Sequence, residues 1–350
     1  MRHPLTRRRL VVSTVASGIV LAGGAPQALL AQTGTPAAGS LASPAATVTD
    51  SFPVTIPHVY GETVIPAPPA RVVVIGWSTP DAVVALGVDP VAIPFQEWGG
   101  DAEGFLPWTR AALDGRPLPA TLDTAAGIPF EDIIGLEPDA ILAPFSGVTA
   151  EEYDTLSQIA PTVAYPEVAW GTSWQDVQLI TGRALGMSAA SEQLVTETEA
   201  LIASQSEIYP QLAGKTFAYG NVGENNTFNF YTTTDIRSLF LTAIGLEPSE
   251  FTRSLDAQAA EFSYFVEISF ELAETIEADI VVMWFGSEEE YTAAQEQPAF
   301  QAIAAVREGR FAAIVGQDLV MATSAFSVLS IPYMIERFIP TLAEAADNVG

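Results

Sequence analysis

Glu131 and Glu271 occupy matching places in two stretches that read alike. Residues 128–139, IPFEDIIGLEPD, and 268–279, ISFELAETIEAD, align at a constant offset and share Ile128/Ile268, Phe130/Phe270, Glu131/Glu271, Glu137/Glu277 and Asp139/Asp279. A carboxylate in the first turn of a helix is favoured by the helix dipole, and an exposed one can also make charge-assisted contacts to a cationic partner. Chance similarity of two amphipathic helix–strand units would produce such a match, and so would duplication of a lobe. The remaining inventory narrows the chemistry. There is no cysteine, and past His3 the only histidine is His58, which reads as an ordinary residue of an early hairpin. Bare zinc or manganese needs several histidine and carboxylate ligands, so a site for the free ion is disfavoured. No G-x-S-x-G elbow, cysteine nucleophile or histidine base cluster is present. Gly214, Lys215 and Thr216 copy the end of a phosphate loop, but Tyr209 stands at the place of its first glycine and the residues ahead read as helix rather than strand.

The elements that must position these residues alternate in type. Residues 52–65 alternate as a hairpin with its turn near Tyr60 and Gly61. RVVVIG at 71–76 is a β-branched run of the kind that forms a buried parallel strand, a helix follows over 79–86, and 88–94 gives a second strand before an irregular segment carrying Trp98, Trp108 and Arg110. Helix and strand alternate again at 129–136, 140–143, 151–159 and 162–165. The pattern returns beyond residue 210 with strands at 216–222, 279–285 and 311–315 and helices at 237–244, 270–276, 297–306 and 332–346. Between the two series, SAASEQLVTETEALIASQSEIY at 188–209 places Leu194, Val195, Thr198, Leu201, Ile202 and Ile208 at helical spacing. Ser188 is the expected N-cap and Pro210 the stop. A helix of that length is roughly 33 Å long, enough to tie two domains together.

Composition sets the compartment. Arg2, Arg7, Arg8 and Arg9 precede an apolar run from Leu10 to Leu21, the layout of an export signal over residues 1–31, and TRRRLVV is similar to a twin-arginine signal. Residues 32–50 are small, polar and proline-punctuated, and a disordered tether is expected there. That leaves an N-terminal α/β lobe over 51–187, the connecting helix over 188–210 and a C-terminal α/β lobe over 211–350. The formal charge is −28, and loss of the four leader arginines makes it more negative still. A nucleic-acid partner is not expected, since phosphate binding needs clustered cations and Lys215 is the only lysine. Without cysteine, the core must carry stability unaided by disulfides, and no acyl chain can be attached through a thiol.

Taken together, RVVVIGWSTPDAVVALGVDPVAI, IPFEDIIGLEPDAIL, EEYDTLSQIAPTV, QPAFQAIAAVREGRFAAI and the proline-initiated last helix resemble the iron-siderophore substrate-binding proteins of ABC importers. The resemblance runs from about residue 53 to 343. It implies two Rossmann-like α/β lobes linked by a single long backbone helix, the class III periplasmic-binding-protein fold. It also implies a non-enzymatic, monomeric, exported protein at the periplasm or the outer face of the membrane. Its partners would be an ABC permease with its ATPase and a ferric siderophore, with no cofactor of its own. The alternative ligand is haem or a corrinoid, and an unrecognised hydrolase on the same fold is the reading from another class.

In that family one exposed glutamate per lobe docks on permease arginines, and the matching positions are Glu131 and Glu271. A preassembled chelate brings its own metal ligands, so the protein need supply only aromatic surface and a few polar or cationic groups. Such groups belong in loops at the carboxyl ends of strands. They are Trp77, Trp98, Arg110 and Phe145 in the first lobe and Tyr231, Arg237, Tyr264 and Trp284 in the second, with Ser146, Phe228, Phe265 and Phe285 nearby. An anionic catecholate or carboxylate chelate would lean on Arg110, Arg237 or Arg253, and a near-neutral hydroxamate complex would not.

Overall fold

A parallel sheet and a mixed sheet with parallel central strands follow one another along the chain, and the reason lies in central strands that are apolar on both faces. The computed structural model describes residues 47–260 and 263–350, which fall in one compact unit. The expected export signal at 1–31 and most of the tether, 32–46, lie outside the described residues. A hairpin, β1 (Val54–His58) and β2 (Gly61–Ile65), comes first and alternates inward Val54, Ile56, Thr63 and Ile65 with outward neighbours. The first sheet holds β3 (Val72–Val74), β4 (Ala92–Pro94), β5 (Ala120–Leu122), β6 (Ala140–Leu142) and β7 (Thr162–Val163), all parallel in the order β5-β4-β3-β6-β7. Every residue of β3 is fully buried, and alternate side chains serve different cores. Val72 and Val74 join the cluster shared with the second half, while Val73 packs with Ile141 and Ile133 on the outer face.

The second sheet contains β8 (Thr216–Val222), β9 (Thr227–Tyr231), β10 (Glu247–Pro248), β11 (Phe265–Ser269), β12 (Ile280–Phe285) and β13 (Phe311–Val315) in the order β11-β9-β8-β12-β13, with β10 beside β8. Strands β8, β12 and β13 are parallel, and β9 runs antiparallel to both of its neighbours, β8 and β11. Strands β9 and β11 were not expected from periodicity. The turn that folds β9 back on β8, at Asn225 and Asn226, takes positive φ values of 55° and 61°, which asparagine tolerates better than most residues.

The connecting helix spans Ser188–Ile208, and its buried stripe is Leu194, Val195, Thr198, Ile202 and Gln205. It lies against a helix, Trp174–Ala184, that the periodicity reading did not single out. The cap differs from expectation. Met187 is the N-cap and Ser188 the first helical residue, because the Ser188 hydroxyl is taken by Asp50, donating to Oδ2 at 2.5 Å. Asp50 and Thr49 donate their amides to the Gly186 carbonyl, so the last residues of the tether are tied to the fold. Helix also forms at Pro107–Ala112 inside the segment read as irregular, the 270–275 turn is a 3-10 helix, and 297–306 divides into two short helices at the buried Ile303.

The sequence repeat has a structural counterpart. Asp139 accepts the amides of Ala70 and Arg71, both at 2.8 Å, just ahead of β3. Asp279 accepts the Thr216 amide and hydroxyl at 2.8 and 2.9 Å at the start of β8. Equivalent carboxylates thus satisfy the open amides at the start of the neighbouring strand in each half.

Candidate functional site

The carboxyl ends of the first sheet present aromatic rings. Gly76, after β3, has φ +99°, and a Cβ there would lie 1.9 Å from the Phe145 carbonyl oxygen, so only glycine lets the loops after β3 and β6 meet. That contact sets Trp77 beside the loop after β7, where its ring lies 4.9 Å from that of Trp170, tilted 38°. Phe145 meets Trp170 edge-on at 5.7 Å. Trp170 adopts φ 59°, a left-handed conformation that costs a bulky residue on the order of 1–3 kcal/mol and must be held by its surroundings. Its amide donates to the Ser146 carbonyl at 3.1 Å. Trp77 and Trp170 stay 44% and 45% exposed, unusual for rings of that size. They border a pocket of about 300 Å³ whose lining includes Thr124, Ser146 and Glu152.

The two halves meet across this face. Trp98, after β4, packs edge-on against Trp284 of β12 with centroids 6.2 Å apart, and the Gly99 amide donates to Gln317 Oε1 at 3.3 Å. Trp284 Nε1 donates to the Tyr231 hydroxyl at 2.8 Å. The Tyr231 ring carries the Arg237 guanidinium at 4.2 Å and lies 6.4 Å from the exposed Tyr264 ring. At 5% exposure, Tyr231 acts as the post on which Trp284 and Arg237 rest. Beside Trp284 a second pocket of about 400 Å³ is lined by Asn226, Phe270 and Glu290 among others.

Charge in the site is paired. Arg110 contacts Asp101 at 2.8 Å and Glu103 at 2.6 Å, with its guanidinium 4.1 Å from the Phe105 ring. Arg237 pairs with Asp235 at 2.9 Å, and the two side chains are only 13% and 4% exposed. Burial pushes the Asp235 carboxyl up while Arg237 holds it down, with a net rise. Arg237 Nε is buried without a partner. Glu152 is held in a capping box by the Thr149 amide at 2.8 Å, and Glu290 accepts the Gly286 amide at 2.7 Å.

The structure therefore gathers Trp98, Trp284, Tyr231, Arg237 and Tyr264 into one cluster, and Trp77 and Phe145 into a second with Trp170. Arg110 stands apart, tied to its own carboxylates. Phe228 and Phe285 are core residues. Trp170 was missed, although applying the strand-end argument to β7 would have led to its loop. His58 is buried in the hairpin and bonded to Thr63 at 2.9 Å, and burial lowers its pKa. Glu131 and Glu271 are exposed, make no ion pair among the described residues, and each opens a short helix. Those helices begin beside the two pockets, since Ile128 lines the first and Phe270 the second. Among the described residues no group of three or more His, Cys, Asp or Glu could hold a metal ion, and no helix is long and apolar enough to cross a membrane.

The sequence and the fold are similar to those of known proteins. PiaA of Streptococcus pneumoniae TIGR4, solved in complex with ferrichrome, superposes with a TM-score of 0.74 at 33% identity, covering 85% of this chain and 99% of that one. The Fe(3+) dicitrate-binding periplasmic protein FecB of Escherichia coli K12 is 27% identical over 201 residues, which is 57% of this chain and 63% of FecB. The probable siderophore-binding lipoprotein YfiY of Bacillus subtilis 168 is 24% identical over 237 residues, 67% of this chain and 69% of YfiY. Residues 72–317 match the family described as periplasmic binding protein, and on that span, well over half its length, the chain belongs to this family.

Proposed function

We propose that this protein is the extracytoplasmic substrate-binding component of an ABC importer, and that it captures a ferric siderophore and delivers it to the membrane permease and its ATPase. The observation that carries the reading is the aromatic surface shared by the two halves, with Trp77 and Trp170 on one side and Trp98 packed on Trp284 where the halves meet. A preassembled chelate needs apolar faces and a few hydrogen bonds rather than metal ligands from the protein, and that is what the site offers. The relatives above, named for dicitrate, siderophore and ferrichrome binding, support the same class of ligand. The periplasmic and lipoprotein relatives support an exported location.

Glu131 and Glu271 are the surface through which delivery would occur. Each opens a helix that starts beside its half's pocket, so a change in the separation of the halves would alter the spacing of the two carboxylates presented to permease arginines. Binding is tested by titrating ferric chelates into the purified protein and following tryptophan fluorescence. Saturable quenching at one chelate per chain is expected, because Trp77 and Trp170 line the first pocket, Trp284 lines the second and Trp98 packs on Trp284. If no ferric chelate of any class quenches, and haemin does so instead, the siderophore reading is wrong.

A further inference from the structure

We infer that the chelate taken by this cleft is electroneutral or cationic, of the ferric hydroxamate kind, and not an anionic catecholate or carboxylate complex. The inference rests on the siderophore reading above and concerns the charge of its ligand. Three hydroxamates cancel the charge of ferric iron, whereas three catecholates leave the complex strongly negative. Moving such an anion out of water into an apolar cleft is costly unless cations with no other partner receive it.

The cations near this cleft are already committed. Arg110 is shared between Asp101 and Glu103, and Arg237 is spent on a nearly buried Asp235. Glu152 and Glu290 are each held by a backbone amide but have no cationic partner among the described residues, and they add negative charge to the two pockets. The strand direction removes much of the rest. Arg71 precedes β3, Lys215 precedes β8 and Arg310 precedes β13, so all three stand at the amino ends of parallel strands, while the aromatic site is built at the carboxyl ends. Arg253 pairs with Glu247, whose β10 lies beside Thr216 at that same amino end. A neutral chelate asks for none of these charges. Its needs are ring faces, which the four tryptophans supply, and neutral hydrogen bonds, for which Thr124 lines the first pocket and Asn226 the second.

The test is a parallel titration of the wild type with ferrichrome, ferrioxamine B, ferric dicitrate and a ferric tris-catecholate, read by tryptophan quenching at several salt concentrations. The two hydroxamates should bind at least 100-fold more tightly than either anionic complex, and ferrichrome affinity should change little with salt. A tris-catecholate or dicitrate complex binding the wild type as tightly as ferrichrome overturns the charge inference and leaves the siderophore reading standing. Failure of all four chelates sinks both.

Discussion

Asp81 lies fully buried where the two halves meet, and three donors converge on its carboxylate. Trp108 Nε1 and the Ser327 hydroxyl donate to Oδ2 at 2.7 and 2.6 Å, and the Thr109 hydroxyl donates to Oδ1 at 2.6 Å. Ser327 comes from the second half of the chain, so this is a polar link across the junction. Burial pushes the Asp81 carboxyl up to about 6, although the bonds from Ser327, Thr109 and Trp108 pull the other way. Between roughly pH 4 and 6 the folded protein therefore holds a proton that the unfolded chain has released. The contribution is present at the acid end and is lost as pH rises through about 6, by on the order of 3 kcal/mol. Asp81→Asn removes this dependence while keeping a side chain that can accept bonds. In urea unfolding, the stability of the wild type relative to the variant should grow as pH falls from 7 to 4; a difference that does not vary with pH contradicts the assignment. At the same scale, Trp170→Ala strips one ring from the first pocket. The lost apolar contact is worth about 1.5–3 kcal/mol, so chelate affinity should drop by roughly 10- to 100-fold with little change in the unfolding midpoint, and an unchanged quenching curve would remove Trp170 from the site.

The connecting helix depends on how closely its neighbour approaches. A Cβ at Gly182, in the Trp174–Ala184 helix, would lie 2.3 Å from Ser191 Cβ on the Ser188–Ile208 helix. At that crossing the Ser191 hydroxyl donates to the Gln178 carbonyl at 2.6 Å, so the two backbones are locked at short range. Gly182→Val should wedge them apart and cost about 1–3 kcal/mol, read as a lower urea midpoint. Gly135→Ala is the control, since a Cβ there meets nothing within 4 Å and the residue is helical. It should be neutral or stabilising by about 0.5–1 kcal/mol. Equal losses in the two variants would mean that close helix contact is not what holds this crossing.

For the whole molecule, the separation of capture from delivery gives the clearest expectation. Glu131→Arg and Glu271→Arg each reverse one exposed charge outside the aromatic clusters. Either should sharply reduce uptake of a labelled ferric chelate by cells, and the pair should abolish it, while affinity in solution stays within about twofold. A loss of affinity equal to the loss of uptake would place these residues in binding rather than docking.

Some of this organisation is legible in the residues themselves, because it is carried by local periodicity. The VVV of β3, the helical spacing of Leu194, Thr198 and Ile202, and the paired 128–139 and 268–279 segments each encode an element without reference to distant chain, and together they carry the two-halved α/β plan. The single histidine past the leader and the absence of cysteine narrow the chemistry in the same direct way. What tertiary structure decided depends on groups brought together from afar or placed by irregular chain. Trp98 and Trp284 meet across nearly two hundred residues, the 59° φ of Trp170 is enforced by packing around its loop, and β9 joins the second sheet through a turn rather than a periodic signal, with β11 pairing onto it from later in the chain. The pairing of Arg110 and Arg237 is likewise invisible in composition. Sequence counts the cations, but only folded geometry shows which carboxylates already hold them, because the strength of an ion pair follows from distance and burial.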